Sequence, residues 1–317
     1  MGQLTDHQRC EVLRIVRNTT EADKVAPLSE QVLLAVREEH HANSSEPRAS
    51  SVHSLAYAGA YLAGYAHLER PMNGKGSTAE VATDPSHRRA GVATALIRDL
   101  EQALEPQAEA LRLWSHGDLA SARAFATRNG YSKVRELWQM RRPLRSGVSS
   151  LPPVLVPEGF RTRHFVVGRD EQAWLRVNAR AFVDHPEQGR MTRHDLDQRI
   201  AEPWFDAVGF ILIEDTRGLK PMLAASHWTK VVPAQDPRAR PTEGEVYVVG
   251  VDPAYQGLGL GRTVTVLGLA HLRERGLPEA MLYVDADNKA AVATYFRLDF
   301  ARSAVDIMYS RIVHMPV

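Results

Sequence analysis

The sequence predicts an α/β (α+β) protein built from two tandem domains, each a mixed sheet flanked by helices. Three observations carry that expectation. The chain has 317 residues, enough for two ordinary domains. Strand-like and helix-like segments alternate along it, the pattern of helices packed on a sheet. The chain also repeats itself. Placing Asp84-Pro85 on Asp252-Pro253 aligns EVATDPSHRRAGVATALIRDL (80–100) with YVVGVDPAYQGLGLGRTVTVL (247–267). Further on, LRLWSHGDLASARAFATRNGY (111–131) matches MLYVDADNKAAVATYFRLDF (281–300). Two matches in the same order indicate duplication.

Composition narrows the class. Hydrophobic residues make up 44% and charged residues 24%, an ordinary globular balance. A net charge of +1 gives no general attraction to nucleic acid or anionic membrane. No apolar run approaches the ~20 residues that span a bilayer. The opening MGQLTDHQRCEVLRIV lacks the apolar core of a secretory signal. Cys10 is the sole cysteine, so an intrachain disulfide and a cysteine-based metal site are both ruled out. A reducing cytoplasm is the expected compartment. A monomer is expected, because a tandem chain already contains the pairing that single domains achieve by dimerising.

The elements follow in order. A helix is expected over 28–39, then a hairpin of strands in SLAYAGAYLAGYAHLE (54–69). An apolar strand runs into Asp84-Pro85, where the proline stops it, and a helix follows over about 92–104, ending before Pro106. LRLW reads as a strand, 121–128 as a helix and RELWQMRR as a strand. RSGVSSLPPVLVPEG is rich in Ser, Pro and Gly without helical or strand period, so it reads as a linker. The expected domains are therefore 1–145 and 159–317, joined by 146–158. The second half offers FILIED and KPMLAASHWTKV as strands, and 184–200 as a polar loop leading into a short helix. Its own Asp252-Pro253 strand end precedes a helix over about 261–275, ended by Gly276 and Pro278. AMLYVD, a helix over 289–298 and the strand AVDIMYSR complete it.

The most informative segment is the run from Gln256 to Gly261, QGLGLG, after a strand and before a helix. Glycines let consecutive N–H groups converge without Cβ obstruction. The helix N-terminus adds partial positive charge. Together they suit a diphosphate. A plain glycine-rich turn is the bland alternative. A dinucleotide-binding loop is a third, weakened because no βαβ unit opens the chain. The repeated loop at 88–93 favours a cofactor site.

The pattern V-x-P-x-x-Q/R-x-x-G-x-G/A resembles the pyrophosphate signature of the GNAT acetyltransferase superfamily. Residues 251–261 match throughout, and 83–93 match with Thr first and Ala last. In that superfamily the cofactor is acetyl-CoA, and the strand before the loop splays from its neighbour to pair with the pantetheine arm. The resemblance implies cofactor contacts from Val249, Gly250 and Val251 on the strand. It implies others from Gln256, Gly257, Leu258, Gly259, Leu260, Gly261 and Arg262 in the loop and helix start. Asn288, Lys289, Ala290, Ala291, Val292 and Ala293 are implied where the later helix begins, with Asn288 also readable as an ordinary N-cap. In the first half the same roles fall on Val81, Ala82 and Thr83, and on Arg89, Ala90, Gly91, Val92, Ala93 and Thr94.

A narrower resemblance covers nearly the whole chain. EADKVAPLSEQVL, ELWQMRRPL, NARAF with HPEQG, HWTKV and GEVYVVGVDP are similar to an actinobacterial tandem-domain branch of that superfamily. Its members acetylate the cysteinyl amine of cysteinyl-glucosaminyl-inositol, giving mycothiol.

Acetyl transfer to an amine needs a neutral amine and a protonated leaving thiolate. An α-amine has a pKa of about 7.7–8.0, so a carboxylate base suffices. Glu245 begins the strand EVYVVGV, and alternation puts Glu245, Tyr247 and Val249 on one face. The resemblance makes Glu245 the base. The alternative is an exposed glutamate at a strand end. Tyr295 is the implied acid, a phenol able to protonate the thiolate. Its alternative is an aromatic packed beside Phe296 and Phe300. The repeat sets Ser77 opposite Glu245 and Ala126 opposite Tyr295, so the first half lacks both groups. The first domain is therefore expected to hold acetyl-CoA without catalysing. The resemblance adds Glu30, Glu187, Lys230, Glu245 and Tyr283 as contacts to the acceptor. Glu30 in that role requires the first domain to reach over the cleft of the second. Each of these has a plain reading as surface charge or, for Tyr283, as strand core. His185 and His227 lack metal-ligand spacing, and no metal is expected. Other amine acceptors, such as an aminoglycoside or a protein N-terminus, and a non-catalytic acyl-CoA sensor stay open.

Overall fold

The computed structural model describes residues 4–37, 50–70, 76–104, 109–145, 150–183, 185, 188–232 and 241–313. Packing divides the chain into two compact units, Met1–Leu137 with Ala304–Val317, and Trp138–Ser303. The linker expected at 146–158 thus falls within the second unit. Residues 146–149 lie outside the described residues, and 150–157 carry no helix or strand. Thr263 Oγ donates to Leu155 O at 2.8 Å, tying that extended stretch down.

The first unit opens with α1 (Asp6–Asp23) and α2 (Glu30–Arg37), followed by β1 (Ser50–Ala58), β2 (Tyr61–Arg70) and β3 (Ser77–Thr83). Next come α3 (Val92–Leu104), β4 (Glu109–Ser115), α4 (Ala120–Arg128) and β5 (Ser132–Pro143), whose residues from Trp138 onward belong to the second unit. The second unit continues with β6 (Phe160–His164), α5 (Glu171–Ala181), α6 (Arg193–Ile200), β7 (Phe210–Asp215), β8 (Met222–Lys230) and β9 (Gly244–Val251). It ends with α7 (Leu260–Glu274), β10 (Glu279–Asp285) and α8 (Lys289–Arg297). The last strand, β11 (Ala301–Val313), packs with the first unit from Ala304, because Ile307–Val313 form an antiparallel ladder with β4.

Two helices escape the sequence expectation. α1 is announced by a capping box, with Thr5 accepting from Gln8 N–H and the Gln8 side chain accepting from Thr5 N–H. Its buried face is Val12, Ile15 and Thr19, at helical spacing. α5 carries Trp174, Val177 and Asn178 inward. The helix expected at 28–39 is α2, described as far as Arg37. The short helix expected in 184–200 is α6, capped by Thr192 and Asp195.

Both sheets follow one plan. In the first unit the order is β1-β2-β3-β4-β11, with β3 and β4 parallel. In the second it is β5-β10-β9-β8-β7-β6, with β9 and β10 parallel. Each sheet has a hydrophobic core on both faces. On one face of the first, Leu96, Ile97, Leu100 and Leu104 of α3 cover Ala79, Leu111 and Leu113. On the other, Val12, Ile15, Val32 and Val36 of α1 and α2 cover Leu62, Tyr65 and Ala82. In the second unit α7 supplies Val266, Leu269 and Leu272 to one face. The α5–α6 face is aromatic, with Trp174, Trp204, Trp228, Phe165 and Phe210 packed together. No helix among the described residues is long and apolar enough to cross a membrane.

Candidate active site

The site forms where two parallel strands part. β9 and β10 share only two register pairs, Gly244 with Ala280 and Glu245 with Met281. Beyond that rung each strand's inward-facing backbone is freed from its neighbour, as the family resemblance implies. β3 and β4 part in the same way after Ser77–Leu111, Thr78–Arg112 and Ala79–Leu113.

Each parted strand runs into a turn of the same design. Asp252 caps a short 3-10 turn at Pro253–Tyr255 by accepting from Ala254 N–H at 2.9 Å, and Asp84 accepts from Ser86 N–H at 3.0 Å. Burial works against the Asp84 charge, but Ser86, Asn18 and Arg14 hold its carboxyl down to about 2. The glycine loop then adopts left-handed backbone, with φ of 79° at Gly257 and 78° at Gly259. Gly259 leads directly into α7. A Cβ on Gly257 or Gly259 would meet nothing within 4 Å, so the loop borders open space on that side. That is a cradle fitted to a phosphate group at a helix N-terminus. In the first unit Gly91 has φ 82° and Arg89 has φ 63°. Arg89 occupies the place of Gly257, so the same nest persists with a side chain at a strained position.

A cavity of about 920 Å³ fills the first unit's cleft, lined by Val81, Ala82, Thr83, Arg89, Gly91, Val92, Ala93 and Thr94 among others. These include every cofactor residue expected there except Ala90. Arg88, opposite Gln256 in the repeat, lines it too and makes a paired contact with Asp23 at 2.7 and 2.8 Å.

Glu245 reaches its face through a device the sequence conceals. The β8–β9 register slips between Trp228 and Thr229, so that Trp228 pairs with Val248 and Thr229 with Val246. Tyr247 is the extra residue of a β-bulge. Before it, Val246 packs with the α7 core, and after it Val249 does. The regular alternation expected for Glu245, Tyr247 and Val249 therefore breaks. Val249 faces α7, whereas Glu245 and Tyr247 face α5 and α6. Without the bulge Glu245 would point at α7. The β2–β3 ladder of the first unit has no such slip, from Gly64–Thr83 to Glu69–Thr78.

Glu245 is half-buried and pairs in register with Lys230, whose Nζ lies 3.9 Å from its carboxylate. Lys230 is buried at the end of β8, not a surface charge. Its ammonium sits 4.9 Å from the ring centres of both Trp204 and Tyr247. Tyr283 is exposed on β10 two residues beyond the Glu245 partner Met281, so it shares that face, and its hydroxyl accepts from Gln139 Nε2 at 3.0 Å. Tyr295 lies on α8 with its ring 5.7 Å from that of Phe300. Burial pushes its phenol up to about 12. Asn288 caps α8, accepting from Ala291 N–H at 3.1 Å. Glu30 belongs to the first unit, in the opening turn of α2. Glu187 lies outside the described residues.

His227 is a core residue, while His185 is partly exposed with its Nε2 3.5 Å from Asp285. His227 Nδ1 contacts Val264 O at 2.9 Å, and burial lowers its pKa to about 4. His185 Nδ1 accepts from Gln188 N–H at 3.0 Å.

Sequence reasoning missed one cluster. Glu80, His67 and His53 stand side by side across β3, β2 and β1. His116 reaches Glu80 from beyond β4 and contacts Asp306 of β11 at 3.2 Å. Glu80 also accepts from Ser29 N–H at 2.6 Å. Alternation on β3, with Glu80 and Ala82 on one face, was the one available signal.

Comparison with known proteins places this geometry in a class. The acetyltransferase (GNAT) family model matches residues 16–131 and again 173–300. The chain belongs to the acetyltransferase (GNAT) family. It is 52% identical over 308 residues to a mycothiol acetyltransferase of Thermomonospora curvata, covering 96% of this chain and 94% of that protein. It is 46% identical to a mycothiol acetyltransferase of Kytococcus sedentarius, covering 97% and 95%. Among solved structures it resembles a tandem GNAT protein from the clavulanic acid biosynthesis pathway, with TM-score 0.72, 14% identity and coverage of 100% and 98%. A GCN5-related N-acetyltransferase from Sphaerobacter thermophilus aligns with TM-score 0.66, 20% identity and coverage of 99% and 96%. These two show the shared fold.

Proposed function

We propose that the protein is a mycothiol synthase, moving acetyl from acetyl-CoA to the cysteinyl amine of cysteinyl-glucosaminyl-inositol, and that the second unit performs the chemistry. The observation that carries the second half of this reading is the placement of Glu245. It stands on the last rung before β9 and β10 part, turned by the bulge to the face where Lys230 lies, while the first unit has Ser77 in a regular ladder. Relatives called mycothiol acetyltransferase support acetyl transfer in mycothiol formation, and the cysteinyl amine is the acceptor this reading takes.

In this reading the nest at 256–262 holds the diphosphate of acetyl-CoA, Val249–Val251 flank its pantetheine arm and the residues at 288–293 close over it. The neutral acceptor nitrogen forms a bond to the acetyl carbonyl carbon. Its proton passes to the Glu245 carboxylate, directly or through a water. As the carbon–sulfur bond breaks, the departing sulfur takes a proton from Tyr295. A phenol is protonated at neutral pH, as a donor must be, and burial keeps the Tyr295 proton in place until the thiolate develops. Lys230 and Tyr283 contact the acceptor, whose hydroxyls and amine need paired donors and acceptors. The cavity of the first unit holds a second acetyl-CoA that does not react, since the repeat sets Ser77, which the regular ladder leaves on the α3 face, opposite Glu245 and Ala126 opposite Tyr295.

The test is kinetic. Glu245→Gln and Tyr295→Phe should each lower kcat by about 10²–10⁴-fold, with acetyl-CoA binding by calorimetry retained. Undiminished turnover in both variants would overturn the assignment of the chemistry to this cleft.

A further inference from the structure

The side chains around Lys230 form a built enclosure. The Nζ lies equidistant, at 4.9 Å, from the ring centres of Trp204 and Tyr247. Those rings are themselves 5.1 Å apart and meet edge to face, with Tyr247 also packed edge-on to Trp228 at 5.2 Å. Ring faces at such distances attract a cation, more strongly when water is excluded. Arg199, buried on α6, donates from Nε to the Tyr247 hydroxyl at 2.7 Å and from Nη1 to Asp195 O at 2.9 Å. A chain of contacts therefore runs from the α6 backbone through Arg199 and Tyr247 to Lys230 and Glu245. Tyr247 is the bulged residue of β9, so its side chain joins this face only because the bulge exists. The repeat sets Ala79 at its place in the first unit, where the ladder is regular.

An apolar residue at the end of β8 would pack against two aromatic rings without bringing a charge. What the enclosure does is fix one positive charge beside the carboxylate. A lone carboxylate would bind the acceptor as an ammonium ion and hold its proton in place. A carboxylate already facing a fixed ammonium attracts a second ammonium less, so the acceptor arrives more readily as the reactive neutral amine.

We propose that Tyr247, anchored by Arg199, is a positioning residue that with Trp204 holds Lys230 against Glu245, and that this enclosure sets the pH range over which the site accepts a proton. The proposal rests on Glu245 being the base. Among the described residues of the second unit, the titratable and charged groups on the face of the Lys230–Glu245 pair include Arg199 from α6, Tyr247 from β9 and Tyr283 from β10. Asp206, in the loop after Trp204, is engaged with His271 and Arg275 at 3.4 and 3.1 Å.

The experiment is the pH profile of kcat for the intact chain with acetyl-CoA and cysteinyl-glucosaminyl-inositol both saturating, so that the limbs report the bound complex and not the free amine. Lys230→Met should move the acidic limb up by about one pH unit. Tyr247→Phe keeps the ring, loses the Arg199 bond and should move the limb the same way by less. Lys230→Arg, retaining the charge, should restore the limb toward its original position. A general loss of rate with unmoved limbs in Lys230→Met and Tyr247→Phe would overturn the proposal, because that is what loosened packing alone would give. Glu245→Gln separates the two levels. If it remains active, the base assignment itself is wrong. If it is inactive while the limbs in the other variants do not move, only the enclosure's role is wrong.

Discussion

His116 reaches across the opening between β3 and β4 to Glu80, its Nε2 3.5 Å from the carboxylate, while its Nδ1 lies 3.2 Å from Asp306. Burial disfavours the imidazolium, yet the Asp306 and Glu80 carboxylates outweigh it and raise the pKa from 6.5 to about 10. Gly117 N–H donates to the second Asp306 oxygen at 2.7 Å. One cation thus ties together β3, the end of β4 and β11, the last strand of the chain.

The pH dependence of the first unit's stability follows. A group whose folded pKa is raised contributes fully below its unfolded pKa, and the contribution is lost as pH climbs through the folded value. His116 therefore stabilises the fold up to about pH 6.5, and this support fades toward about 10. His67 acts in the opposite sense. Burial, with His53 beside it, lowers its pKa from 6.5 to about 4. The unfolded chain takes up that proton first, so stability falls as pH drops from about 6.5 toward 4. Thermal unfolding at pH 5, 7 and 9.5 should show a maximum near neutrality. His116→Gln should cost about 3 kcal/mol at pH 7 and flatten the alkaline side. A variant with an unchanged alkaline slope would contradict the pairing.

The glycine nest gives a second prediction. Gly257→Ala adds a Cβ into open space, but at φ 79°. It should cost about 1–2 kcal/mol from left-handed backbone and raise KM for acetyl-CoA about tenfold, near 1.4 kcal/mol. Steady-state kinetics at varied acetyl-CoA would read this, and an unchanged KM would remove the nest from the cofactor site.

Packing under α7 gives a third. A Cβ on Gly268 would lie 2.0 Å from His227 Cε1, and that ring is held by Val264 O. Gly268→Ala should cost about 1–3 kcal/mol through overpacking. Urea unfolding would measure it, and a neutral substitution would mean that His227 can leave its place.

The first unit's cavity gives a fourth. Calorimetric titration should find two acetyl-CoA equivalents per chain, falling to one in Ala93→Trp, whose ring would fill the cleft at 81–94. One equivalent in the unaltered chain would refute cofactor binding by the first unit.

Much of this was legible in the letters. Asp-Pro at each strand end, the glycines behind it and the repeated order located both nests, because proline and glycine act locally on the backbone. The parted strands followed from the family resemblance and are present in both sheets. The bulge at Tyr247 was not legible. EVYVVGV reads as a plain alternating strand, and the slip exists only against β8, whose register is set by packing across the sheet. Arg89 at φ 63° was hidden for a similar reason, since only its likeness to the second loop explains a non-glycine there. The Glu80–His116–Asp306 cluster joins residues far apart in sequence, and local alternation on β3 marks only Glu80. α1 could have been found from Thr5 and Gln8 with the spacing of Val12, Ile15 and Thr19.

The most direct test of the account is acetyl-CoA consumption by the purified protein with cysteinyl-glucosaminyl-inositol, set beside glucosaminyl-inositol lacking the cysteine. Turnover with the cysteinyl compound alone is the result expected of a site that acetylates an α-amine. Turnover with neither, or equally with both, would contradict the acceptor assigned to the cleft at Glu245.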